Sequence, residues 1–207
     1  MNELLAELFS SRVRAAVLGY TMPRPQVAVS LTEFSRLLNL PISSLQHECY
    51  KLERIGVLKG RREGNSRRYR LNPNCPVLPE LTALIVAALG QQTALAATLG
   101  DVTGLEAAFF GRVLPLEEST DLTGSQAPIP LVLIGEIPLE EIDGALERVA
   151  FLLGVPTARL EAVFYLPADW SARLEQHSQY AVWLMSGPRT DLVGDPLAYA
   201  ESDAIQA

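Results

Sequence analysis

The sequence predicts an α+β protein with two domains, and three observations support this prediction. The net charge changes sign along the chain, because residues 1–80 contain 12 Lys and Arg against 7 Asp and Glu whereas residues 81–207 contain 5 against 17. The first part shows helical spacing of apolar residues followed by a stretch of period two. The second part alternates short apolar runs with longer amphipathic segments, which is typical of an α/β arrangement.

Composition excludes several classes of protein. With 48% hydrophobic and 20% charged residues, the chain is not collagen-like, coiled-coil or fully disordered. Its longest strongly apolar stretch, residues 84–89, is far shorter than the roughly 20 residues that cross a bilayer, so we expect a cytoplasmic protein with no membrane association. The two cysteines and two histidines lack the spacing of a disulfide framework or zinc site, and we therefore expect reduced thiols and no metal.

Three helices are predicted at the start of the chain. Apolar spacing over residues 4–18 indicates the first. Ser30 followed by Glu33 is a capping-box pattern and predicts the start of the second. The third begins at Ser43 or Ser44 and ends at Gly56. Its expected buried face consists of Leu45, Cys49 and Leu52.

A β-hairpin is predicted after the third helix, because residues on both sides of Gly64 and Asn65 alternate with period two. Helix, turn, helix and hairpin is the order of a winged helix-turn-helix, whose second helix enters the major groove of DNA. Cations on the hairpin can contact phosphates, and polar side chains on the helix can contact base edges. We therefore predict double-stranded DNA as the partner. The candidate DNA-binding residues are Ser43, Ser44, Gln46, His47, Tyr50 and Lys51 on the helix, and Lys59, Arg61, Arg62, Asn65, Arg67, Arg68 and Arg70 on the hairpin.

The first part of the chain is similar to a known family. Residues 33–45, 51–58 and 61–72 resemble the ArsR/MarR-like winged-helix regulators of bacteria and archaea. The resemblance covers about residues 5–80. It implies a winged-helix fold and DNA binding, but it specifies no operator sequence.

The second part resembles the small nucleotidyltransferase-like domain that follows the winged helix in some of these regulators. Residues 105–111, 131–135 and 170–195 carry this resemblance. Members of that family hold Mg²⁺ with an Asp-x-Asp pair, but the matching positions here are Pro128 and Pro130, and the phosphate-binding Gly-Ser turn is replaced by Gly111 and Arg112. The resemblance therefore implies a domain with no catalytic residues, no metal and no cofactor. Glu161 would be a surviving third carboxylate, and Asp121 a displaced ligand only if the alignment is out of register.

These observations predict four segments: a winged helix-turn-helix domain over residues 1–77, an apolar linker or interface helix over 78–99, a degenerate nucleotidyltransferase-like α/β domain over 100–195, and a flexible tail over 196–207. Strands are expected at residues 106–110, 131–134 and 162–166, and helices at 139–153 and 170–185.

The favoured hypothesis is a sequence-specific transcriptional regulator that acts as a homodimer. Its second domain would serve dimerisation, ligand sensing, or the binding of a protein or small-molecule partner. Two alternatives remain open at this point. One is an active or regulatory nucleotidyltransferase, which needs a carboxylate pair. The other is a protein-interaction module of the antitoxin type, which would not need the hairpin arginines for duplex binding.

Overall fold

The computed structural model describes residues 3–111 and 128–200, and it confirms a mixed α+β protein with two small sheets. The chain divides into two compact units, Met1–Gly90 and Gln91–Ala207. Each unit has its own sheet.

Residues 3–90 of the first unit form five helices and three strands. The second and third predicted helices and the hairpin expected between residues 30 and 71 are present. The sequence missed the short strand that precedes these two helices. The elements are α1 (Glu3–Leu8), α2 (Arg12–Thr21), β1 (Val29–Ser30), α3 (Leu31–Leu38), α4 (Ile42–Arg54), β2 (Leu58–Glu63), β3 (Ser66–Leu71) and α5 (Leu78–Leu89).

The single helix expected over residues 4–18 is wrong, because α1 and α2 are separate. Ser10 adopts a left-handed backbone with φ of 50°, which interrupts the helix. The Ser11 side chain then accepts a hydrogen bond of 3.2 Å from the Arg14 backbone N–H. Such a cap satisfies one of the free N–H groups at a helix start, so a new helix begins there.

The sheet of the first unit is antiparallel, with the strand order β1-β3-β2. The two-residue turn of the hairpin is formed by Gly64 and Asn65, and Gly64 has φ of 58°. Tyr69 pairs with Val29 on one side and with Gly60 on the other. Tyr69 is buried, and so are Leu58 and Leu71 at the base of the hairpin and Leu45, Cys49 and Leu52 on α4. One end of the hairpin is therefore anchored in the core, and its charged part extends from there.

The predicted linker helix over residues 78–99 is also two helices. α5 ends at Leu89 in the first unit, and α6 (Gln91–Leu99) begins the second. Gly90 lies between them with φ of 88° and ψ of 130°, a conformation outside the helical region. No single helix among the described residues has the length and apolar composition needed to cross a membrane, and only α5 and α6 taken together meet that test.

The described residues of the second unit, 91–111 and 128–200, form a four-stranded mixed sheet with the strand order β6-β5-β4-β7. β5 and β6 are parallel, and the other pairs are antiparallel. The three predicted strands and the helix at 139–153 are confirmed, whereas the helix expected at 170–185 is divided near His177, which has φ of 50°. Besides α6, the elements are β4 (Leu105–Gly111), β5 (Ile129–Gly135), α7 (Leu139–Leu153), β6 (Leu160–Tyr165), α8 (Pro167–Glu175), α9 (Gln179–Met185) and β7 (Arg189–Val193).

Trp170 on α8 lies at the centre of one core of this unit and is fully buried. Its ring packs against Phe109 and Tyr165, with centroid distances of 5.8 and 5.1 Å. Its indole N–H donates a hydrogen bond of 2.9 Å to the Pro196 carbonyl, and the Ser171 hydroxyl donates one of 2.8 Å to the Tyr199 carbonyl. These contacts hold Pro196 and Tyr199 against α8, within the segment 196–207 for which the sequence predicts a flexible tail. Residues 201–207 lie outside the described part.

We expect Trp170→Ala to lower the free energy of unfolding by about 3–5 kcal/mol, because it removes a large buried ring and leaves a cavity. Urea denaturation followed by far-UV circular dichroism measures this loss. Trp183→Ala is the matched control, since Trp183 is 43% exposed, and its loss should not exceed about 1 kcal/mol. Equal losses in the two variants would contradict the central role of Trp170.

Candidate nucleic-acid interface

One side of α4 presents polar side chains to solvent. The helix buries Leu45, Cys49 and Leu52 on its inner side, so the residues on the opposite side of the helix face solvent. Tyr50 is 61% exposed. The polar face of α4, as we define it, consists of Ser43, Gln46, His47 and Tyr50, and these residues line a groove of about 500 Å³ together with Glu53, Arg67 and Tyr69.

Two predicted helix residues are not part of this groove. Ser44 is half-buried. The Lys51 ammonium donates a hydrogen bond of 3.2 Å to Glu48 Oε1. Glu48 is itself only 7% exposed, and its second oxygen accepts a hydrogen bond of 2.9 Å from Arg14 Nε. Lys51 is therefore engaged in an ion pair within the protein, which the sequence did not predict.

The hairpin cations divide between the two faces of the sheet. Alternate residues of a strand point to opposite faces. In the observed register Lys59 pairs with Arg70 and Arg61 pairs with Arg68, so these four share one face. Arg62 pairs with Arg67, and these two lie on the face that carries Tyr69 and borders the groove. The sequence analysis did not assign these six cations to different faces of the hairpin.

Arg67 is bound to α4. Its Nη2 atom donates a hydrogen bond of 2.5 Å to Glu53 Oε1, and the same oxygen accepts one of 3.2 Å from the Gly60 backbone N–H. The hydrogen bond from Arg67 to Glu53 raises the pKa of the guanidinium. Glu53 therefore joins α4 to both strands of the hairpin. The sequence analysis missed this residue, although its position seven residues after Gln46 puts it on the same side of the helix.

Arg68 is bound to the segment that leads into α3. Its Nη2 atom donates a hydrogen bond of 2.7 Å to the Ala28 carbonyl and lies 3.0 Å from Glu33 Oε2. Glu33 also accepts a hydrogen bond of 2.7 Å from the Ser30 backbone N–H, and the Ser30 hydroxyl accepts one of 3.3 Å in return from the Glu33 N–H. These bonds form the predicted capping box. The pKa of Glu33 is lowered, chiefly by the two hydrogen bonds with Ser30 and also by the charge of Arg68.

The other hairpin cations have no partner within residues 3–111 and 128–200. Lys59, Arg61, Arg62 and Arg70 are all exposed, and none of them forms a hydrogen bond or ion pair with another described residue. Lys59, Arg61 and Arg70 border a hollow of about 370 Å³ on the face away from the groove. Asn65 is exposed at the tip of the hairpin. Four positive charges are thus left for a ligand outside the chain.

Cys49 contributes packing to this site. Burial raises the pKa of its thiol to about 12, and the nearby carboxylates of Glu48 and Glu53 act in the same direction. The thiol is therefore protonated at neutral pH and is a poor nucleophile. Cys49 and Cys75 are both buried and free.

Of the positions singled out in the second half, those that the structure describes lie at one end of the sheet, where β4 ends and β5 begins. Pro128 is exposed, and Pro130 lies opposite Glu161 of β6 in the parallel register. Gly111 is the last residue of β4, whereas Arg112 and Asp121 lie outside the described residues. Among residues 3–111 and 128–200, no three Asp, Glu, His or Cys side chains are close enough together to hold a metal ion.

The capping box makes the stability of the first unit depend on pH. Because the pKa of Glu33 is lower in the folded than in the unfolded chain, ionised Glu33 stabilises the fold above the unfolded pKa of about 4.3, and this stabilisation is lost as the pH falls through the folded value. We expect Glu33→Gln to be less stable than the wild type at pH 7 in urea denaturation and to differ little from it at pH 3. Ser30→Ala should lose about 1 kcal/mol.

Glu80→Gln is the control for this prediction, since Glu80 is an exposed carboxylate in the same unit. Its effect on the denaturation midpoint should be small at both pH values. A Glu33→Gln variant that loses the same stability at pH 7 and pH 3 would show that the carboxylate charge has no role.

Comparisons of the chain with known protein families, with characterised proteins and with solved structures found no match.

Proposed function

We propose that the protein binds double-stranded DNA as a sequence-specific transcriptional regulator and that residues 30–71 act as a winged helix-turn-helix. The observation that carries this proposal is the exposed polar face of α4 together with a hairpin that carries four exposed cations without a partner in the described chain. Of these four, Arg62 lies on the face that borders the groove, and Lys59, Arg61 and Arg70 lie on the other face of the hairpin. A group of cations without a partner attracts a polyanion, and phosphate contacts supply much of the affinity of proteins for DNA.

The dimensions and chemistry of α4 suit the major groove. Its 13 residues give a rod about 20 Å long, and the major groove is wide enough to admit one helix. The Gln46 amide can donate to and accept from an adenine edge, which makes it the best candidate for base recognition. The Ser43 hydroxyl, in the first turn of the helix, is placed to contact a phosphate.

The hairpin cations would divide into two roles. Lys59, Arg61, Arg62 and Arg70 contact phosphates, because they are exposed and need break no bond within the protein. Arg67 and Arg68 position the hairpin, since their guanidinium groups already bind α4 and the segment before α3. This assignment narrows the set of phosphate contacts that the sequence suggested.

The second unit would act without catalysis, as a degenerate nucleotidyltransferase-like domain that binds a second copy or another partner. Proline has no ligand oxygen in its side chain, so Pro128 and Pro130 cannot supply the carboxylate pair that nucleotidyl transfer requires. Glu161, in register with Pro130 on the next strand, would leave a single carboxylate at this place.

Arg61→Ala should weaken the binding of operator and of unrelated duplex about equally. It should also reduce the slope of log affinity against log salt by about 1, because one phosphate contact and its released counterion are lost. Fluorescence anisotropy of a labelled duplex at several salt concentrations measures both effects. Arg173→Ala, which removes the same charge from the exposed surface of α8, should leave the slope unchanged. Duplex affinity that does not depend on salt, or that survives loss of all four unpaired cations, would contradict the proposal.

Gln46→Ala should weaken the operator complex by about 1–3 kcal/mol and leave unrelated duplex unaffected, because it removes a contact to a base edge. The operator is first obtained by selection from a random duplex library. Lys51→Ala is the matched control on the same helix, since Lys51 is paired with Glu48, and it should keep the ratio of operator to unrelated affinity. An unchanged ratio for Gln46→Ala would remove Gln46 from the set of base contacts.

A further inference from the structure

β6 ends the sheet of the second unit and has one unpaired edge among the described strands. All six residues of β6 lie in register with β5, from Leu160 opposite Ile129 to Tyr165 opposite Ile134. No strand within residues 3–111 and 128–200 pairs with its other side. An unpaired edge presents backbone N–H and C=O groups that can bind another strand.

The opposite edge of the same sheet is protected. On β7, the Asp191 carbonyl accepts a hydrogen bond of 2.7 Å from the Gln92 side chain. The Arg189 and Asp191 side chains form an ion pair at 2.7 Å on the same strand. Charges and side chains that cover an edge are known devices against unwanted strand pairing.

β6 has fewer of these devices, and its one charged residue is Glu161. Its sequence LEAVFY contains no Lys, Arg or Pro. Phe164 is 39% exposed, and Leu166, the residue after the strand, is 53% exposed. In the first unit, by contrast, β2 carries Lys59, Arg61 and Arg62, and β1 is only two residues long. β6 is therefore the edge best suited to pair with another strand.

The side chains of β6 complement those of a second β6 in one register. A two-fold axis through Val163, perpendicular to the sheet, would bring two strands together in the antiparallel direction and keep each face on its own side. Ala162 would then lie opposite the partner's Phe164, so that a small side chain meets a large one. Glu161 would lie opposite the partner's Tyr165, whose hydroxyl can donate to the carboxylate. An axis through Ala162 would instead place Glu161 opposite the partner's Val163, which offers no donor.

We propose that two copies of this chain associate through β6 and join their four-stranded sheets into one continuous sheet. The partner is a second copy because, in this register, the strand places a carboxylate opposite a hydroxyl donor and a small side chain opposite a large one. This inference does not depend on DNA binding. If the proposed function also holds, the dimer supplies two α4 helices for an operator with two-fold symmetry.

Cysteine cross-linking of the full chain tests the register. In the variant Val163→Cys, the substituted residues of the two copies would lie opposite each other. Their Cα atoms would be about 5 Å apart, which is within the range of a disulfide. Glu161→Cys is the control, because it would lie roughly 13 Å from its own copy, four residues along the strand. Under mild oxidation, we expect covalent dimer from Val163→Cys at least ten times faster than from Glu161→Cys. The wild type, whose two cysteines are buried, gives the background rate.

Sedimentation velocity without oxidant tests the association itself. We expect the wild type to form dimers at micromolar concentration and Phe164→Lys to weaken the dimer at least tenfold. Leu139→Lys is the control, since Leu139 is 82% exposed on α7 in the same unit, and it should leave the dimer unchanged. Circular dichroism checks the folding of each variant, and if Phe164→Lys fails to fold the cross-linking comparison decides.

Three results would overturn this inference. They are a wild type that remains monomeric at tens of micromolar, a dimer that Phe164→Lys does not weaken, and cross-linking of Glu161→Cys as fast as that of Val163→Cys. The last two would show that any association uses another surface.

Discussion

Glu53 accepts hydrogen bonds from both strands of the hairpin while its own backbone belongs to α4. The geometry of the candidate interface depends on this connection and on the core beneath it. Leu45, Cys49 and Leu52 bury one side of α4, and the polar face is therefore exposed. Glu53 holds the hairpin beside that face at Gly60 and Arg67, and under the proposed function the helix and the hairpin would contact one ligand together. A helix and a hairpin with the same side chains but no fixed relation would lose affinity to the entropy of ordering them.

The hairpin cations fall into two groups, those that bind other parts of the protein and those that have no partner among the described residues. Arg67 and Arg68 satisfy Glu53, Glu33 and the Ala28 carbonyl. They orient the hairpin. Under the proposed function, the exposed cations would bind phosphate, and the cost of doing so would be lower because no bond within the protein is broken. Under the same proposal, the excess of acidic residues in the second half of the sequence would discourage phosphate from binding there and would direct a polyanion to the first unit.

Local patterns in the sequence were sufficient to predict most of the helices and strands that carry the candidate site. The capping box at Ser30, the apolar spacing of α4 and the turn at Gly64 each depend on residues only a few positions apart, and each is present in the structure. The breaks at Ser10, Gly90 and His177 were missed, because the flanking segments have good helical spacing and only the packing of the chain selects the interruption. β1 and β7 were also missed, since short strands are stabilised by their partners across the sheet.

The sequence by itself determined the α+β class, the order of helices and hairpin between residues 30 and 71, and the concentration of positive charge in that segment, because periodicity, capping and turn chemistry act between near neighbours. Only the tertiary structure decided which cations are paired within the protein and which are not. Ion pairs such as Arg68 with Glu33 and Arg67 with Glu53 join residues 35 and 14 positions apart, and no local rule predicts them. It also decided which strand edge is left open, since an edge is defined by the partners that a strand lacks.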